Sequence, residues 1–474
     1  MVFSSLEFIC VFLPVVFLLY CILPGIRLKN ALLIVASLLF YAYGEPRYVL
    51  LMIFSACFNY LSARVMMAGR KRKWFLFVNI SVNLGLLAFF KYTAFFVSTW
   101  NQIFGMQVKV LEIELPIGIS FFTFQALSYV VDVYRGTVPV QKSFWKVLLY
   151  ISFFPQLIAG PIVKYQDIAQ ALEEREMDIR QISDGMRRFI CGLGKKILIA
   201  NTMGQAADAV FQADYANINI LAAWIGAVAY MLQIYYDFSG YSDMAIGLGK
   251  MFGFQFHENF QYPYGAASIK EFWRRWHISL STWFKEYLYI PLGGNRKGQL
   301  RTGINKFAVF FCTGLWHGAN WTFVLWGLYH GFFSVLEDCL PFIKKIPKPL
   351  MYLYTMLVVC TGFVIFRADT VSQGLYIIRQ MFAGISFESH AMSFVAGQIT
   401  PWFITMLLFG LIGMAPVRPL AEWIRGIVYD ERVQAAWSRK AAQVFLCTAS
   451  IVVLLWCMIR LSGNTYNPFI YFRF

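Results

Sequence analysis

Long apolar runs alternate with short polar segments from one end of this chain to the other. Many runs contain about 17 to 25 residues, the length of an α-helix that crosses a bilayer. The clearest runs cover residues 6–23, 30–43, 48–67, 74–96, 115–136, 190–201, 218–254, 307–333, 351–366, 401–414 and 444–459. The pattern predicts an all-α polytopic membrane protein with roughly ten to twelve membrane segments, some of them re-entrant.

Several stretches depart from this pattern. Residues 153–165 place two prolines and a glycine inside an apolar run. Non-helical backbone at membrane depth is tolerated only beside protein or a water-filled cavity, so this stretch predicts a re-entrant segment or a cavity wall. Residues 166–188 are rich in charged side chains and predict one cytoplasmic amphipathic helix on the membrane face. Segments 372–387 and 418–442 predict surface helices or connectors.

Composition and charge support a membrane location. Hydrophobic residues make up 59% of the chain and charged residues 14%, against about 25% charged in soluble domains. The net charge of +16 does not indicate nucleic-acid binding, because Lys and Arg collect in short loops between apolar runs. The basic clusters 27–29 and 70–73, placed inside the cell, require an N-terminus outside. Lys91 is expected to extend its amine to the outer membrane surface. The whole chain, 1–474, predicts one membrane domain.

The first candidate histidine lies in SIKEFWRRWHISLSTWFKEYLYIPLGGN, residues 268–295. Helical spacing predicts one continuous helix whose inward apolar face contains Trp273, His277, Leu280, Phe284 and Leu288, beside a basic stripe. Histidines at membrane depth also serve as hydrogen-bonding links between helices. Taken alone, this segment therefore favours a structural histidine.

The second candidate histidine lies inside the apolar run 307–333. On one continuous helix, Thr313, His317 and Asn320 form a narrow polar strip. Gly314 and Gly318 leave room beside the imidazole for a substrate or a second helix. Ionisable side chains at membrane depth indicate a functional site. With an ordinary pKa of about 6.5, His317 is suited to act as a general base toward a hydroxyl; a histidine bonded to an amide or carbonyl is the alternative.

Other polar or aromatic groups are candidates for substrate contact. Asp237 and Tyr241 belong to the cluster DFSGYSD, which predicts an interior lining or helix caps. Trp273 and Trp316 lie close in sequence to the two histidines, and Asn320 completes the set.

A basic loop, PLGGNRKGQLRTGINKF, connects the two histidine segments. Its Arg296, Lys297 and Arg301 are explained equally well by the positive-inside bias and by attraction of a polyanionic donor such as coenzyme A. No metal site is predicted, because the nine cysteines include no C-x-x-C pair and no set of His, Cys or carboxylate ligands has suitable spacing.

Three sequence blocks resemble a known family. YYDFSGYSDMAIG, NFQYPYGAASIKEFWRRWHISLSTWFKEYLYIPLGGNR and TGLWHGANWTFVLWGLYHG are similar to the membrane-bound O-acyltransferases (MBOAT), above all to the bacterial alginate O-acetyltransferase, AlgI-like, branch. The resemblance extends from SFFTFQALSYVVDVYRG to the FIYFRF tail.

This resemblance implies a helical bundle around a funnel, with a catalytic core at about 115–335. His317 matches the near-invariant histidine of the family, and His277 matches a second position that is variously His, Asn or Asp. His317 would then activate an acceptor hydroxyl for attack on an acyl thioester. His277 would orient the substrate or stabilise developing charge.

The resemblance also implies substrates, partners and a location. The donor would be acetyl-CoA or another acyl thioester, with no bound cofactor. An SGNH-type partner protein would pass the acetyl group to an extracytoplasmic polysaccharide such as alginate. The enzyme would lie among the lipids of the bacterial cytoplasmic membrane. D-alanyl transfer to teichoic acid and peptidoglycan O-acetylation are the enzymatic alternatives, and a polysaccharide or lipid transporter or scaffold is the non-enzymatic one.

Overall fold

The computed structural model describes residues 1–111, 113–340, 345–414, 436–463 and 466–470. Within these ranges the regular structure is helical and no strand occurs, which confirms the all-α prediction. After a π-helical turn (Phe8–Phe12), the first helices are α1 (Leu13–Ile22), α2 (Gly25–Gly44), α3 (Val49–Ala68) and α4 (Arg72–Phe104).

The middle of the chain contains shorter and more buried helices. They are α5 (Ile119–Arg135), α6 (Phe144–Ser152), α7 (Phe154–Leu157), α8 (Tyr165–Glu173), α9 (Ile179–Gly194), α10 (Asn201–Phe211) and α11 (Ile220–Met251). A π-helical segment (Lys195–Ala200) joins α9 to α10. The central helix α11 packs against α9, α10 and α16 (Lys348–Arg367).

The remaining helices surround the two histidines and extend toward the carboxyl end. They are α12 (Ile269–Arg275), α13 (Ile278–Phe284), α14 (Gly298–His317), α15 (Trp321–Cys339), α17 (Val371–Ala383), α18 (Ser389–Gln398), α19 (Pro401–Met414) and α20 (Ala436–Gly463). Helix α17 accounts for the predicted segment 372–387. Most of the predicted segment 418–442, and residues 471–474 of the aromatic tail, lie outside the described residues.

Six described helices are long and apolar enough to cross a membrane: α2, α3, α4, α11, α16 and the Gln443–Gly463 part of α20. The pair α18 and α19, bent by 64°, raises this number to seven, and Phe8–Ile22 is a shorter apolar helix. The count is lower than the predicted ten to twelve. Several predicted segments form helices that are shorter or more polar than these, among them α5, α14 and α15.

The amino-terminal helices define two ends of the bundle. At one end, Tyr41 and Tyr48 donate hydrogen bonds to the carbonyls of Ile117 and Glu114, both at 3.0 Å. At the other end, Asn30 donates to the carbonyl of Leu172 at 2.9 Å. The basic cluster 27–29 therefore shares an end with α8, while the turn between α2 and α3 shares the opposite end with the segment before α5.

The prediction of one helix over 166–188 is wrong, although most of the stretch is at least partly exposed. Two helices, α8 and α9, occupy this stretch, and Asp178 caps α9 by accepting from the Arg180 N–H. Helix α9 lies against α11 so closely that a Cβ on Gly192 would lie 2.5 Å from the Gly240 carbonyl oxygen. Glycines therefore form the inner face of α9, while its charged residues remain at least partly exposed on the other face, as an amphipathic helix requires.

The predicted break at 153–165 is confirmed: the helix is interrupted and the stretch is almost entirely buried. Short α7 is followed by non-helical backbone up to Lys164. Its polar groups find protein partners: the N–H groups of Phe154 and Ile162 donate to the hydroxyls of Ser37 and Ser279, at 3.1 and 3.0 Å. Because this backbone is satisfied by neighbouring side chains, it is tolerated within the bundle.

Candidate active site

His317 is the last residue of α14, and the predicted continuous helix over 307–333 is wrong. Gly318 is extended, and α15 begins at Trp321 and folds back beside α14. A Cβ on Gly314 would lie 2.3 Å from the Phe323 carbonyl oxygen, so the space predicted for a substrate or a second helix is occupied by a second helix. The break between α14 and α15 thus places the imidazole of His317 at a helix end rather than along a helix face.

The predicted polar strip does not form around His317. Asn320 caps α15 by accepting from the Thr322 N–H at 3.1 Å, and its amide donates to the Asp369 carbonyl at 2.9 Å. The Thr313 hydroxyl donates to its own helix, to the Val309 carbonyl. The strip required one straight helix, and the break at Gly318 sends Asn320 to a different set of neighbours.

His277 also lies at a helix break, so the predicted continuous helix through it is wrong, although His277, Leu280 and Phe284 are buried as expected. Helix α12 ends at Arg275 and α13 begins at Ile278. The backbone of His277 has φ +44°, and among the described residues only Tyr262 is another non-glycine residue with positive φ. This left-handed conformation is uncommon for residues other than glycine, although Asn, Asp and His adopt it more readily than most.

Asn259, from the segment before α12, stabilises the break at His277. Its backbone carbonyl accepts from the Ile278 N–H at 2.9 Å. Its side-chain Oδ1 accepts from the Ser279 N–H at 3.1 Å and from the Ser279 hydroxyl at 2.9 Å. These bonds satisfy orphan donors at the start of α13 in place of a local cap.

The same oxygen determines the tautomer of His277. His277 Nδ1 lies 3.2 Å from Asn259 Oδ1. A backbone N–H can only donate, so the Asn259 side-chain atom that accepts from Ser279 is the carbonyl oxygen. An oxygen without a hydrogen can only accept, so Nδ1 of His277 must carry the proton. Nε2 of His277 is then a lone-pair acceptor, and it is buried with no hydrogen-bond partner among the described residues.

Trp316 connects the two histidines. Its ring centroid lies 5.9 Å from that of His277 and 5.0 Å from that of His317. Other aromatic rings complete the enclosure: Phe238 lies 4.5 Å from His277, and Phe366 lies 5.1 Å from His317. The predicted pair therefore comes together around one indole in a buried aromatic environment.

One cavity opens directly on His317. It has a volume of about 230 Å³ and is lined by Lys91, Leu115, Pro116, Ile117, Gly118, Ile119, Ser120, Phe121, Ile158, Trp316 and His317. Gly118 has φ +77°, and a Cβ there would lie 2.9 Å from the Leu157 carbonyl oxygen. The cavity wall thus requires glycine where the chain enters α5 beside the broken segment 153–165.

A second cavity lies on the other side of the histidine pair. It has a volume of about 410 Å³ and is lined by Pro161, Ile162, Val163, Lys164, Asp167, His257, Glu258, Gln261, Ile278, Ser279, Thr282 and Trp283. Ile278 and Ser279 directly follow His277. His317 and Trp316 therefore line the first cavity and the residues after His277 line the second, at a different end of the bundle.

Comparison with known proteins agrees with this architecture. The MBOAT model, described as the membrane-bound O-acyltransferase family, matches residues 138–377. A protein of Pseudomonas putida named "Probable alginate O-acetylase AlgI" is 39% identical over 100% of both chains. This chain belongs to the MBOAT family. It is an O-acyltransferase, and the transporter and scaffold alternatives are not supported.

Two further MBOAT relatives differ in their named activity. A peptidoglycan O-acetyltransferase of Helicobacter pylori is 38% identical over 80% of each chain. A teichoic acid D-alanyltransferase of Bacillus subtilis is 29% identical over 53% of this chain and 68% of its own length.

Among the predicted substrate contacts of this MBOAT chain, only Trp316 lies beside both histidines. Asp237 forms a buried ion pair with Lys196 at 2.8 Å, and Tyr241 stacks between Phe3 and Phe469. Trp273 packs against Phe310, Trp326 and His330. None of these three lines either cavity.

The basic loop lies at the opposite end of α14 from His317. Arg296 and Lys297 are exposed before the helix, and Arg301 is exposed in its first turn. Arg301 and His317 are 16 positions apart, about 24 Å along the helix axis. The loop follows Glu286, whose carboxylate pairs with Lys164 of the second cavity at 3.0 Å. The three cations therefore share an end of the bundle with that cavity and do not contact the histidines.

The sequence analysis did not place two residues, Asn259 and Lys91, in the site. The segment HENFQYP around Asn259 carries no motif that singles out this asparagine. Lys91 carried a usable signal, since an ionisable residue at membrane depth is a functional candidate. The prediction that it reaches the membrane surface is wrong: it is 9% exposed and its amine lies against α14. No group of three or more potential metal ligands occurs among the residues the structure describes.

Proposed function

We propose that this MBOAT enzyme transfers the acetyl group of a cytoplasmic thioester, acetyl-CoA, for O-acetylation of an extracytoplasmic polysaccharide, alginate or a related exopolysaccharide. An SGNH-type protein outside the membrane is the proposed immediate recipient. The substrate class is supported by relatives named alginate O-acetylase that match over 100% of both chains. The teichoic acid D-alanyltransferase match covers 53% of this chain.

The observation that carries the proposal is the position of the histidine pair between two cavities. His317 and Trp316 line the 230 Å³ cavity, while the residues that follow His277 line the 410 Å³ cavity. An enzyme that accepts a donor from one side of a membrane and an acceptor from the other needs its reacting groups in such a partition. The donor is assigned to the larger cavity, which shares its end with the basic loop.

In the proposed reaction, His317 removes the proton of an acceptor hydroxyl as the oxygen attacks the carbonyl carbon of the thioester. Collapse of the tetrahedral intermediate breaks the C–S bond. The departing sulfur takes the proton from the imidazolium, which leaves an acetyl ester, a free thiol and neutral His317.

The tautomer of His277 supports an orienting role for this residue. Its Nδ1–H is engaged by Asn259, and its Nε2 accepts rather than donates. The proton of the acceptor hydroxyl goes to His317, so the Nε2 lone pair of His277 is suited to accept a hydrogen bond from another N–H or O–H group of a substrate, whereas stabilising an oxyanion requires a donor. Orientation of a substrate is therefore the proposed role of His277.

The direct test uses the purified protein, its SGNH-type partner and radiolabelled acetyl-CoA. We expect label to move to the partner in the presence of wild-type enzyme and not in the presence of His317→Ala. A D-alanyl thioester on a carrier protein, offered in parallel, tests the alternative donor. Exclusive use of that thioester would replace the proposed reaction by D-alanyl transfer.

The proposed orientation places the N-terminus outside and the basic cluster 70–73 in the cytoplasm of a bacterial cell. Its support is the excess of Lys and Arg at one end of the amino-terminal helices. A membrane-impermeant thiol reagent added to intact cells should not modify Lys71→Cys beyond the background of the parent chain. Labelling that matches the level in opened vesicles would reverse the orientation.

A further inference from the structure

A lysine of α4 contacts the end of the helix that carries His317. Lys91 is the twentieth residue of α4, about 28 Å along the helix axis from Arg72. It lies within the apolar part of a membrane-length helix. A lysine in this position is costly unless specific partners compensate it. The groups that bind the amine of Lys91 therefore indicate the role of this residue.

The carboxyl end of α14 is satisfied almost entirely by α4. The last four carbonyls of a helix lack partners within the helix. Here the Gly314 carbonyl accepts from the Gly318 N–H at 3.4 Å, and the Leu315 carbonyl accepts from the Tyr92 hydroxyl at 2.6 Å. The remaining two carbonyls, of Trp316 and His317, accept from the amine of Lys91, the second at 3.2 Å.

The amine also reaches a third element of the site. Lys91 Nζ lies 3.4 Å from the hydroxyl of Ser120 in α5, and both residues line the same cavity as His317. A cation at a helix carboxyl end is favoured, because the aligned peptide dipoles leave partial negative charge there. The amine thus ties α4, α5 and α14 together at the wall where the acceptor is proposed to react.

From this geometry we infer that Lys91 is a positioning residue for His317: its ammonium group binds the last carbonyls of α14 and thereby holds the imidazole in place at the cavity wall. The inference rests on the proposed role of His317 as the general base. Lys91 does not transfer the proton itself. Its contribution is the geometry of the base, and misplacement of a catalytic group by about 1 Å can cost about 10²-fold in rate.

The first test compares Lys91→Met, which keeps the apolar stem but removes the cation, with Lys146→Met. Lys146 pairs with Glu173 on α8 and contacts no residue of the site. We expect Lys91→Met to lower kcat for acetyl transfer from acetyl-CoA by about 10²-fold. The KM for acetyl-CoA should change little, since the donor is assigned to the other cavity. Lys146→Met should behave as wild type.

A chemical rescue distinguishes positioning from a general loss of packing. Lys91→Ala removes three methylene groups and the amine, which correspond to propylamine. We expect propylamine to restore a measurable part of kcat in Lys91→Ala, and the neutral alcohol propan-1-ol to restore none. Lys146→Met should respond to neither compound. Folding of each variant is followed by size-exclusion chromatography and thermal unfolding in detergent.

Three outcomes would overturn the inference: near wild-type kcat in folded Lys91→Met, loss of folded protein in both Lys91 variants, or a Lys91→Ala enzyme that propylamine leaves unchanged. The first would show that His317 does not depend on Lys91, and the second would show that Lys91 is required for folding. His317→Ala, assayed in parallel, separates the two proposals. If His317→Ala is inactive and Lys91→Met is active, only the inference fails. If His317→Ala is active, the proposed function of His317 fails.

Discussion

The two histidines both lie at helix breaks, but the breaks are built differently. At His317 the end of the helix depends partly on residues close in sequence: extended Gly318 follows His317, and Asn320 caps the next helix. At His277 the backbone itself turns left-handed, and a side chain from another segment, Asn259, supplies the cap. A glycine in the sequence suggests the break at His317, whereas no glycine next to His277 suggests the second break.

This difference bears on the residue types that the resemblance implies at the position of His277. The resemblance implies that His, Asn or Asp occurs there. A left-handed backbone costs most residues about 1–2 kcal/mol, and these three residue types adopt it most readily. The break at His277 therefore selects the residue type through the backbone as well as through chemistry. At His317 the extended glycine follows the histidine, so backbone conformation imposes no such choice on the imidazole itself.

The largest expected effect comes from deleting the base at the first break. His317→Ala should lower kcat by about 10² to 10⁴-fold, the usual contribution of general-base catalysis. The variant should remain folded, because it leaves no charge buried. His277→Ala should also lose turnover, and the double variant should be little worse than His317→Ala, because residues that act as a unit are not additive.

His277→Asn is the matched control for this pair. Asparagine tolerates the left-handed backbone and still donates and accepts hydrogen bonds, so part of the activity lost in His277→Ala should return. Acetyl transfer from labelled acetyl-CoA measures all four variants. Near wild-type turnover in folded His317→Ala would contradict the assignment of the base.

A smaller effect is expected at the second break when its remote cap is removed. Asn259→Ala deletes the acceptor that keeps the proton on Nδ1 of His277, and it also removes the cap of α13. We expect kcat to fall by about 10- to 10²-fold. Ser242→Ala, which removes only the bond from the Asn259 amide to Ser242 at 3.2 Å, should cost much less. Equal losses in the two variants would show that Asn259 matters for packing rather than for the tautomer.

The smallest expected effect lies away from both breaks, at the beginning of α14. Neutralising Arg296, Lys297 and Arg301 together should raise the KM for acetyl-CoA by up to about tenfold at low salt, with less effect at high salt. The value of kcat should be retained, because these side chains do not contact either histidine. An unchanged KM at low ionic strength would leave the loop as a signal for membrane orientation alone.

Much of the architecture follows from the sequence for a simple physical reason. Apolar length and the placement of Lys and Arg depend on composition within one segment, so α2, α3, α4, α11 and α16 are visible without a structure. The broken segment at 153–165 is equally local, because proline and glycine disrupt a helix wherever they occur. The choice of His317 and His277 also follows from the sequence, through the rarity of histidine at membrane depth and through the family blocks.

Tertiary structure alone decided how these histidines are held. The bond between His277 and Asn259 joins residues 18 positions apart, and the contact of Lys91 with the His317 carbonyl joins residues 226 positions apart. Helical periodicity describes one helix at a time, so it cannot register a cap donated by another segment. Three predictions failed for this reason: a continuous helix through His277, a polar strip through Asn320 and a surface location for Lys91. Buried polar groups take whichever partners the packed bundle brings within reach.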